Sequence, residues 1–357
     1  MRILFFGPIA KPGKPAGGGF EAANRKNIDV LRRNGVEVVE FGNPIIKRQF
    51  GAIAKVAYLK MFFDPFCLLR YLGRKDVIVH TTPLYNHLLW PSVLVVMMAK
   101  IAKLPLLLDI RAGALVFLSR KKSKLWVRGV YYMLSNAKEI TVEGKSYLKD
   151  IPEVFGVKKR LLYFPNITFC NDISYMPRDN EYINLIYFGR ITKNKGVDLL
   201  LRMMPLLDER FRLYLAGVIC DDIKAKDLNI KNVFYLGSLS PAELKRTLQK
   251  MHIFLFPTKW FGEGQSNSLI EAMQNGLVPI SSDQGFCRDV VSDCGLILTQ
   301  GSTEEDYCDA VLKIAQGDMK CMGMKAMEHI AECHNIDIWI PWLINLYKDM
   351  LDKKTNI

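Results

Sequence analysis

Residues 253–281 read IFLFPTKWFGEGQSNSLIEAMQNGLVPIS, and the changes of pattern inside that stretch decide the architecture. Ile253–Phe256 is a short apolar run, the mark of a strand. A loop with glycines at 262 and 264 follows, and then Ser266, Asn267 and Ser268, all favourable N-cap residues, announce a helix beginning near Ser268. Val278–Ser281 is the next strand. Glu263 therefore lies on a glycine-flanked loop after a strand, and Glu271 lies about one turn into the helix. Carboxylates so placed can accept hydrogen bonds from two hydroxyl-bearing parts of one ligand while the helix N-terminus faces its phosphates.

The same alternation extends outward in both directions. Upstream, strands are expected at Ile183–Phe188, Arg212–Ala216 and Val233–Leu236, with helices beginning near Gly196, Pro241 and, downstream, Glu304. The first half repeats the rhythm: a strand at residues 2–6, a Pro/Gly-rich loop, a helix from Phe20 to Arg33 stopped by Asn34-Gly35, and a strand at Val36–Val39. Val77–Thr81, a helix about Ser92–Ala102, Leu106–Asp109, Ile140–Val142 and Leu161–Phe164 continue it. Two doubly wound, Rossmann-like α/β domains result. The expected division is a first domain over residues 1–165, a linker over 166–182 where Pro, Asn and Asp break the periodicity, and a second domain over 183–335. A last helical pattern from about Ile336, with Trp339, Trp342, Leu343, Leu346, Tyr347 and Met350 at spacings of three and four, is expected to cross back and seal the first domain, so that residues 336–357 belong with it.

A chain of 357 residues that is 50% apolar and 24% charged buries large cores and leaves no room for a fibrous or disordered reading. Its net charge of +13 is unevenly distributed. Residues 1–180 hold 29 basic and 13 acidic side chains, and residues 181–357 hold 20 and 23. The first half therefore attracts anionic partners. Eight cysteines are scattered without a C-x-x-C pair, which fits a reducing cytoplasmic compartment and gives no zinc pattern. After Met1-Arg2 only Ile3–Phe6 are apolar before Gly7-Pro8, so the opening reads as a first strand and not as a secretory signal. Leu88–Leu108 is the most apolar stretch, but Pro91, Lys100, Lys103 and Pro105 interrupt it, short of a clean bilayer span.

Three further features carry chemistry. Gly17-Gly18-Gly19 stands between the first strand and a helix, where residues without Cβ let backbone N–H groups approach a phosphate. Gly189-Arg190 ends a strand and Lys195-Gly196 leads into the next helix, so a guanidinium and an ammonium converge at a carboxyl strand edge. There they would hold a diphosphate and stabilise the charge that grows when it leaves. Finally, residues 45–75 hold seven cations (Lys47, Arg48, Lys55, Lys60, Arg70, Arg74, Lys75) among Phe50, Tyr58, Phe62, Phe63, Phe66 and Leu68-Leu69. Arg120, Lys121, Lys122, Lys124 and Arg128 similarly alternate with Leu118, Leu125, Trp126, Val130, Tyr131 and Tyr132 in what reads as an amphipathic helix. Such surfaces suit the plane of an anionic membrane, or else the aromatics are core and the cations merely solvated. No nucleic-acid signature accompanies the charge, and no nucleic-acid partner is expected.

Taken together, these motifs resemble the retaining glycosyltransferase family 4, with its GT-B fold of two Rossmann-like domains facing across a cleft. The resemblance covers nearly the whole chain. It rests on Gly17–Gly19 with Phe20-Glu21, on Gly189-Arg190 with Lys195-Gly196, on Leu215-Ala-Gly217, on Tyr235-Leu-Gly237, and on Glu263 and Glu271 continuing into Gly276–Ile280. It implies a UDP- or GDP-linked sugar as co-substrate, with no other cofactor and no metal, consistent with the lack of any Asp-x-Asp. Position by position, it implies that Glu271 accepts from the ribose and that Arg190 and Lys195 bind the diphosphate as catalytic cations. Glu263 would contact the transferred sugar with the backbone at Gln265, Ser266 and Asn267, and Gly18 and Gly19, with Gly189, would approach the diphosphate.

Two departures from the family pattern stand out. Where many relatives carry a histidine near the sugar, this chain has Asp109-Ile-Arg111-Ala-Gly113, so Asp109 or Arg111 orients the sugar or acceptor, or the segment is a structural strand end. Gln265-Ser266-Asn267 replaces the commoner aromatic or apolar residue and glycine. The function implied is hexosyl transfer to a lipid-linked oligosaccharide during lipopolysaccharide O-antigen, capsule or exopolysaccharide assembly, by a peripheral protein on the inner face of the plasma membrane. The rival readings are a nucleotide-sugar epimerase on the same fold and a non-enzymatic protein using the basic half to bind membrane or nucleic acid.

Overall fold

Short apolar runs, several of them closed by Gly or Pro, make strands that need cover on both faces, and amphipathic helices between them supply it. The computed structural model describes residues 1–13, 18–42, 58–85, 88–170, 174–178, 181–220 and 222–352. Lys47, Arg48, Phe50, Lys55, Gly17 and parts of the 166–182 segment (171–173, 179 and 180) lie outside the described residues. The chain divides into two units: Met1–Ile167 together with the segment from Asp337 onward, and Thr168–Ile336.

Unit 1 runs β1 (Arg2–Gly7), α1 (Gly19–Arg33), β2 (Glu37–Gly42), β3 (Val77–Thr81), α2 (Leu89–Ile101), β4 (Leu106–Ile110), α3 (Leu115–Ser119), α4 (Lys124–Asn136), β5 (Glu139–Val142), α5 (Tyr147–Phe155) and β6 (Leu162–Tyr163). The strands form one parallel sheet in the order β2-β1-β3-β4-β5-β6, with Leu4 of β1 opposite Val39 on one side and Val79 on the other. Every residue of β3 and β4 is buried, which is why neither shows a period of two.

The single amphipathic helix expected around residues 120–132 is instead two helices. Ser123 caps α4, its hydroxyl accepting from the Trp126 N–H at 3.3 Å, and so a turn separates α3 from α4. The apolar residues divide accordingly: Trp126 and Val130 enter the core, whereas Leu125 and Tyr131 stay exposed.

Unit 2 runs β7 (Ile183–Phe188), α6 (Val197–Met203), β8 (Phe211–Ala216), β9 (Val233–Gly237), α7 (Pro241–Leu248), β10 (Ile253–Phe256), α8 (Asn267–Gln274), β11 (Val278–Ser282), α9 (Cys287–Val291), β12 (Leu296–Leu298), α10 (Glu304–Ala315) and α11 (Met319–Cys333). Its parallel sheet has the order β12-β11-β10-β7-β8-β9. That is the doubly wound order of a Rossmann sheet, with the winding direction reversing between β7 and β10.

The chain then returns to unit 1 in α12 (Ile336–Asp352). Tyr347 of that helix is fully buried, and the Trp342 ring stacks on Phe164 with centroids 5.7 Å apart. Thr168 and Ile336, at the two ends of unit 2, are joined by a hydrogen bond of 2.9 Å.

Candidate functional site

In a doubly wound sheet the crevice outside the strand ends opens where the winding reverses, here at the carboxyl ends of β7 and β10. Arg190 follows β7 after Gly189, and it is exposed. The backbone beside it is held close to β8: a Cβ on Gly217, which has φ +137°, would stand 1.8 Å from the carbonyl oxygen of Gly189. Only glycine fits there. Lys195 closes the short 3₁₀ turn Lys193–Lys195, and Gly196, with φ +74°, follows it against β10, where a Cβ would stand 2.1 Å from the Pro257 carbonyl oxygen. This contact wedges the Lys195 turn onto the strand end that carries Glu263.

The charges meet at that point. The Lys195 Nζ lies 2.5 Å from Glu263 Oε2, and the Thr258 hydroxyl donates to the same oxygen at 2.7 Å. The ammonium also sits over the Phe256 ring, 5.4 Å from its centroid. Glu263 is only 8% exposed, so its carboxylate is held by one cation and one hydroxyl at the rim of the sheet. Nearby, burial first and the Glu263 charge second push the Cys287 thiol up to about 12, so this cysteine stays protonated near neutral pH.

Gln265 and Ser266 are buried in the loop that leads to α8. Ser266 is the cap residue: its hydroxyl accepts from the Leu269 N–H at 3.4 Å and lies 2.9 Å from the Ser268 hydroxyl. Asn267 opens the helix, and Glu271 follows one turn later, half-buried. The structure thus brings Gly189, Arg190, Lys195 and Glu263 to one pair of strand ends, with Gln265–Glu271 continuing from the same loop. Thr258, which fixes Glu263, carried no sequence signal of its own.

In unit 1, Gly18 is the extended N-cap of α1, with φ −175°, and Gly19 is its first residue. The buried amide of Asn24, one turn on, donates to the Pro8 carbonyl at 2.8 Å and to the Thr82 hydroxyl at 2.9 Å, tying the loop after β1 to the end of β3.

Asp109 and Arg111 sit in a different setting from an open ligand site. Asp109 is wholly buried, with Arg111 Nε donating to it at 2.6 Å and the Thr141 hydroxyl at 2.9 Å. Arg111 also donates to Asn166 at 2.6 Å and lies over the Phe164 ring, 4.8 Å from its centroid. His80 Nε2 lies 3.4 Å from Asp109, and its Nδ1 lies 2.6 Å from the Tyr347 hydroxyl. Burial pushes the Asp109 carboxyl up, but Arg111 and His80 outweigh it and hold it below the usual carboxylate range. Burial also pushes His80 below the ordinary imidazole value, against the pull of Asp109. These polar side chains knit β3, β4, β5, the 166 loop and α12 together.

Residues 183–317 match the family model of the glycosyl transferases group 1. The matched segment lies within unit 2. A glycogen synthase of Thermus thermophilus is 28% identical to this chain over 151 residues, 40% of this chain and 34% of that enzyme. An uncharacterized 41.2 kDa protein in the cps region of Klebsiella pneumoniae is 28% identical over 114 residues, 32% of this chain and 31% of that protein. These matches span about a third of the length of each curated relative. Among solved structures, Anabaena Alr3699/HepE in complex with UDP aligns with a TM-score of 0.72 at 13% identity, covering 98% of this chain and 100% of that one. The chain therefore has the GT-B fold.

Proposed function

We propose that the chain is a retaining glycosyltransferase that moves a hexose or related sugar from a nucleotide-diphosphate sugar to a lipid-linked oligosaccharide, in the assembly of a cell-surface polysaccharide. The observation that carries this reading is the convergence of Arg190, Lys195 and Glu263 where the unit 2 sheet reverses, inside the segment that matches the family. In this reading the exposed Arg190 guanidinium and the Lys195 ammonium take the diphosphate, and their charge stabilises the leaving group. Lys195 then bridges two anions, the diphosphate and Glu263, which fixes the carboxylate relative to the bond that breaks. Glu263 accepts from sugar hydroxyls, Glu271 from the ribose, and the N-terminus of α8 adds its positive end toward the phosphates. With no protein nucleophile, attack on the same face retains the anomeric configuration, and the two cations do the work that needs no metal. Catalysis is then chiefly positioning.

The UDP in the Anabaena structure supports a uridine donor, and the Klebsiella relative's location supports a capsule-type setting. For the acceptor side, unit 1 offers an exposed apolar and basic patch. Phe63 is 69% and Leu72 61% exposed, with Leu59, Phe66 and Leu69 also exposed, beside Lys60, Arg70, Arg74 and Lys75. Among the described residues no helix is long and apolar enough to cross a membrane, so the proposed contact with an anionic surface is peripheral.

The test is a thermal-shift panel of UDP, GDP and CMP on wild type and Glu271→Ala, with product analysis using UDP-sugars. A nucleotide at 100 times its dissociation constant adds about 2.7 kcal/mol of stability. A shift with one nucleoside diphosphate that is lost in Glu271→Ala supports the donor site. No shift with any of them, or full turnover by Glu263→Ala, refutes it.

A further inference from the structure

We propose that unit 2 carries a second small-molecule site, a cavity at the carboxyl ends of β10, β11 and β12 that takes a neutral, hydroxyl-rich ligand the size of one sugar ring. The cavity encloses about 220 Å³. That is below the roughly 300–1,000 Å³ of pockets for drug-sized ligands, so a nucleotide sugar is too large for it and a monosaccharide or cyclic polyol is not.

Its chemistry is that of a sugar site. Thr299 and Ser302 contribute hydroxyls to the wall, and Gln284 and Gln300 contribute amides. Leu199 and Pro257 supply apolar surface for the C–H face of a ring. No carboxylate lines the cavity, and its single cation, Lys259, lies 3.8 Å from the Asp198 carboxylate. Tyr307 completes the wall: it is only 2% exposed, and its hydroxyl makes no hydrogen bond of ordinary geometry, although the Ser282 side chain stands close enough to counter part of the upward push that burial gives the phenol. A buried hydroxyl left so poorly paired is unfavourable, and a ligand hydroxyl would satisfy it.

The cavity is separate from the donor constellation, because Arg190, Lys195, Glu263 and Glu271 are all absent from its lining. It nevertheless touches the mount of Glu263. The Ser282 hydroxyl, in the cavity wall, donates to the Thr258 carbonyl at 2.6 Å, and the Thr258 side chain donates to Glu263. An occupant drawing on Ser282 or Thr258 acts on the residue that orients Glu263.

The experiment is ligand-observed NMR of the full chain with glucose, galactose, N-acetylglucosamine and myo-inositol as probes. It is run on wild type, Tyr307→Phe, Ser302→Trp and Glu271→Ala, each checked for an unchanged thermal transition. At least one probe should bind wild type, bind Tyr307→Phe about three- to tenfold more weakly through loss of one hydrogen bond, and not bind Ser302→Trp, whose indole fills the cavity. Glu271→Ala should bind it as wild type does. If Ser302→Trp does not fold, Tyr307→Phe carries the comparison. No binding of any probe at tens of millimolar overturns the proposal, as does binding indifferent to both cavity variants or abolished by Glu271→Ala. Failure of the nucleotide panel would leave this result standing, since none of Arg190, Lys195, Glu263 and Glu271 lines the cavity.

Discussion

Asp109→Asn should destabilise unit 1 severely while leaving the candidate donor site of unit 2 intact. The wild-type carboxylate is wholly buried and receives Arg111 Nε at 2.6 Å and the Thr141 hydroxyl at 2.9 Å. An amide in its place carries no charge, and its NH2 group meets at least one donor head-on. Arg111, itself 5% exposed, is then left as a buried cation whose remaining partners are Asn166 and the Phe164 ring. Breaking a buried ion pair from one side costs about 3–5 kcal/mol, against a total stability of roughly 5–15 kcal/mol for a domain. The assay is guanidinium unfolding followed by tryptophan fluorescence, because Trp339 and Trp342 pack on Phe164 in the same unit.

Arg111→Met removes the cation, so the double variant Asp109→Asn/Arg111→Met should recover part of the loss, giving a coupling of at least about 1 kcal/mol. UDP affinity should stay within twofold of wild type. A loss below about 1 kcal/mol, or additive single variants, would refute the structural reading of the pair. Stability kept with turnover abolished would return Asp109 to the chemistry.

The same network makes stability depend on pH. Burial lowers His80 in the folded state, so the unfolded chain binds more protons below its imidazole value of about 6.5. Stability is then full above about pH 6.5 and falls as pH drops through that value, by up to about 1.4 kcal/mol per pH unit. His80→Gln should flatten this slope between about pH 6.5 and 5 in urea titrations, and an unchanged slope would exclude His80 as its source. Gly217→Ala should cost more than about 2 kcal/mol or prevent folding of unit 2, given the 1.8 Å approach to Gly189, and a thermal transition like that of wild type would count against so close a meeting of the β7 and β8 strand ends. Phe63→Ser/Phe66→Ser should reduce binding to vesicles rich in phosphatidylglycerol at least tenfold, measured by flotation, whereas undiminished binding would count against this patch as the proposed membrane contact.

The alternation of strands and helices was legible because many of the apolar runs are bounded by Gly or Pro, and the Glu263–Glu271 segment was legible because its caps and glycines are local. What stayed hidden depends on contacts between distant residues. The three-residue β12 is too short to show a period and exists by pairing with β11. The Asp109 setting needs His80 and Tyr347, a pair separated by 267 residues, and no local pattern links them. The amphipathic reading of residues 120–132 failed at Ser123, whose capping bond ends one helix pattern and starts another. Exposure was equally illegible. Phe62 and Phe63 are neighbours of one type, yet Phe63 is the more exposed.

Because unit 2 is inserted between β6 and α12, the order of synthesis matters. The ribosome must translate Thr168–Ile336 before the helix that supplies Tyr347 to His80 exists, a wait of roughly 10–30 s at bacterial to eukaryotic elongation rates. Through that interval the sheet of unit 1 is without its last helix, and its apolar face is open to chaperones or to other nascent chains. A premature stop after residue 336 would spare every unit 2 residue of the candidate donor site and still leave a protein that cannot finish its first half.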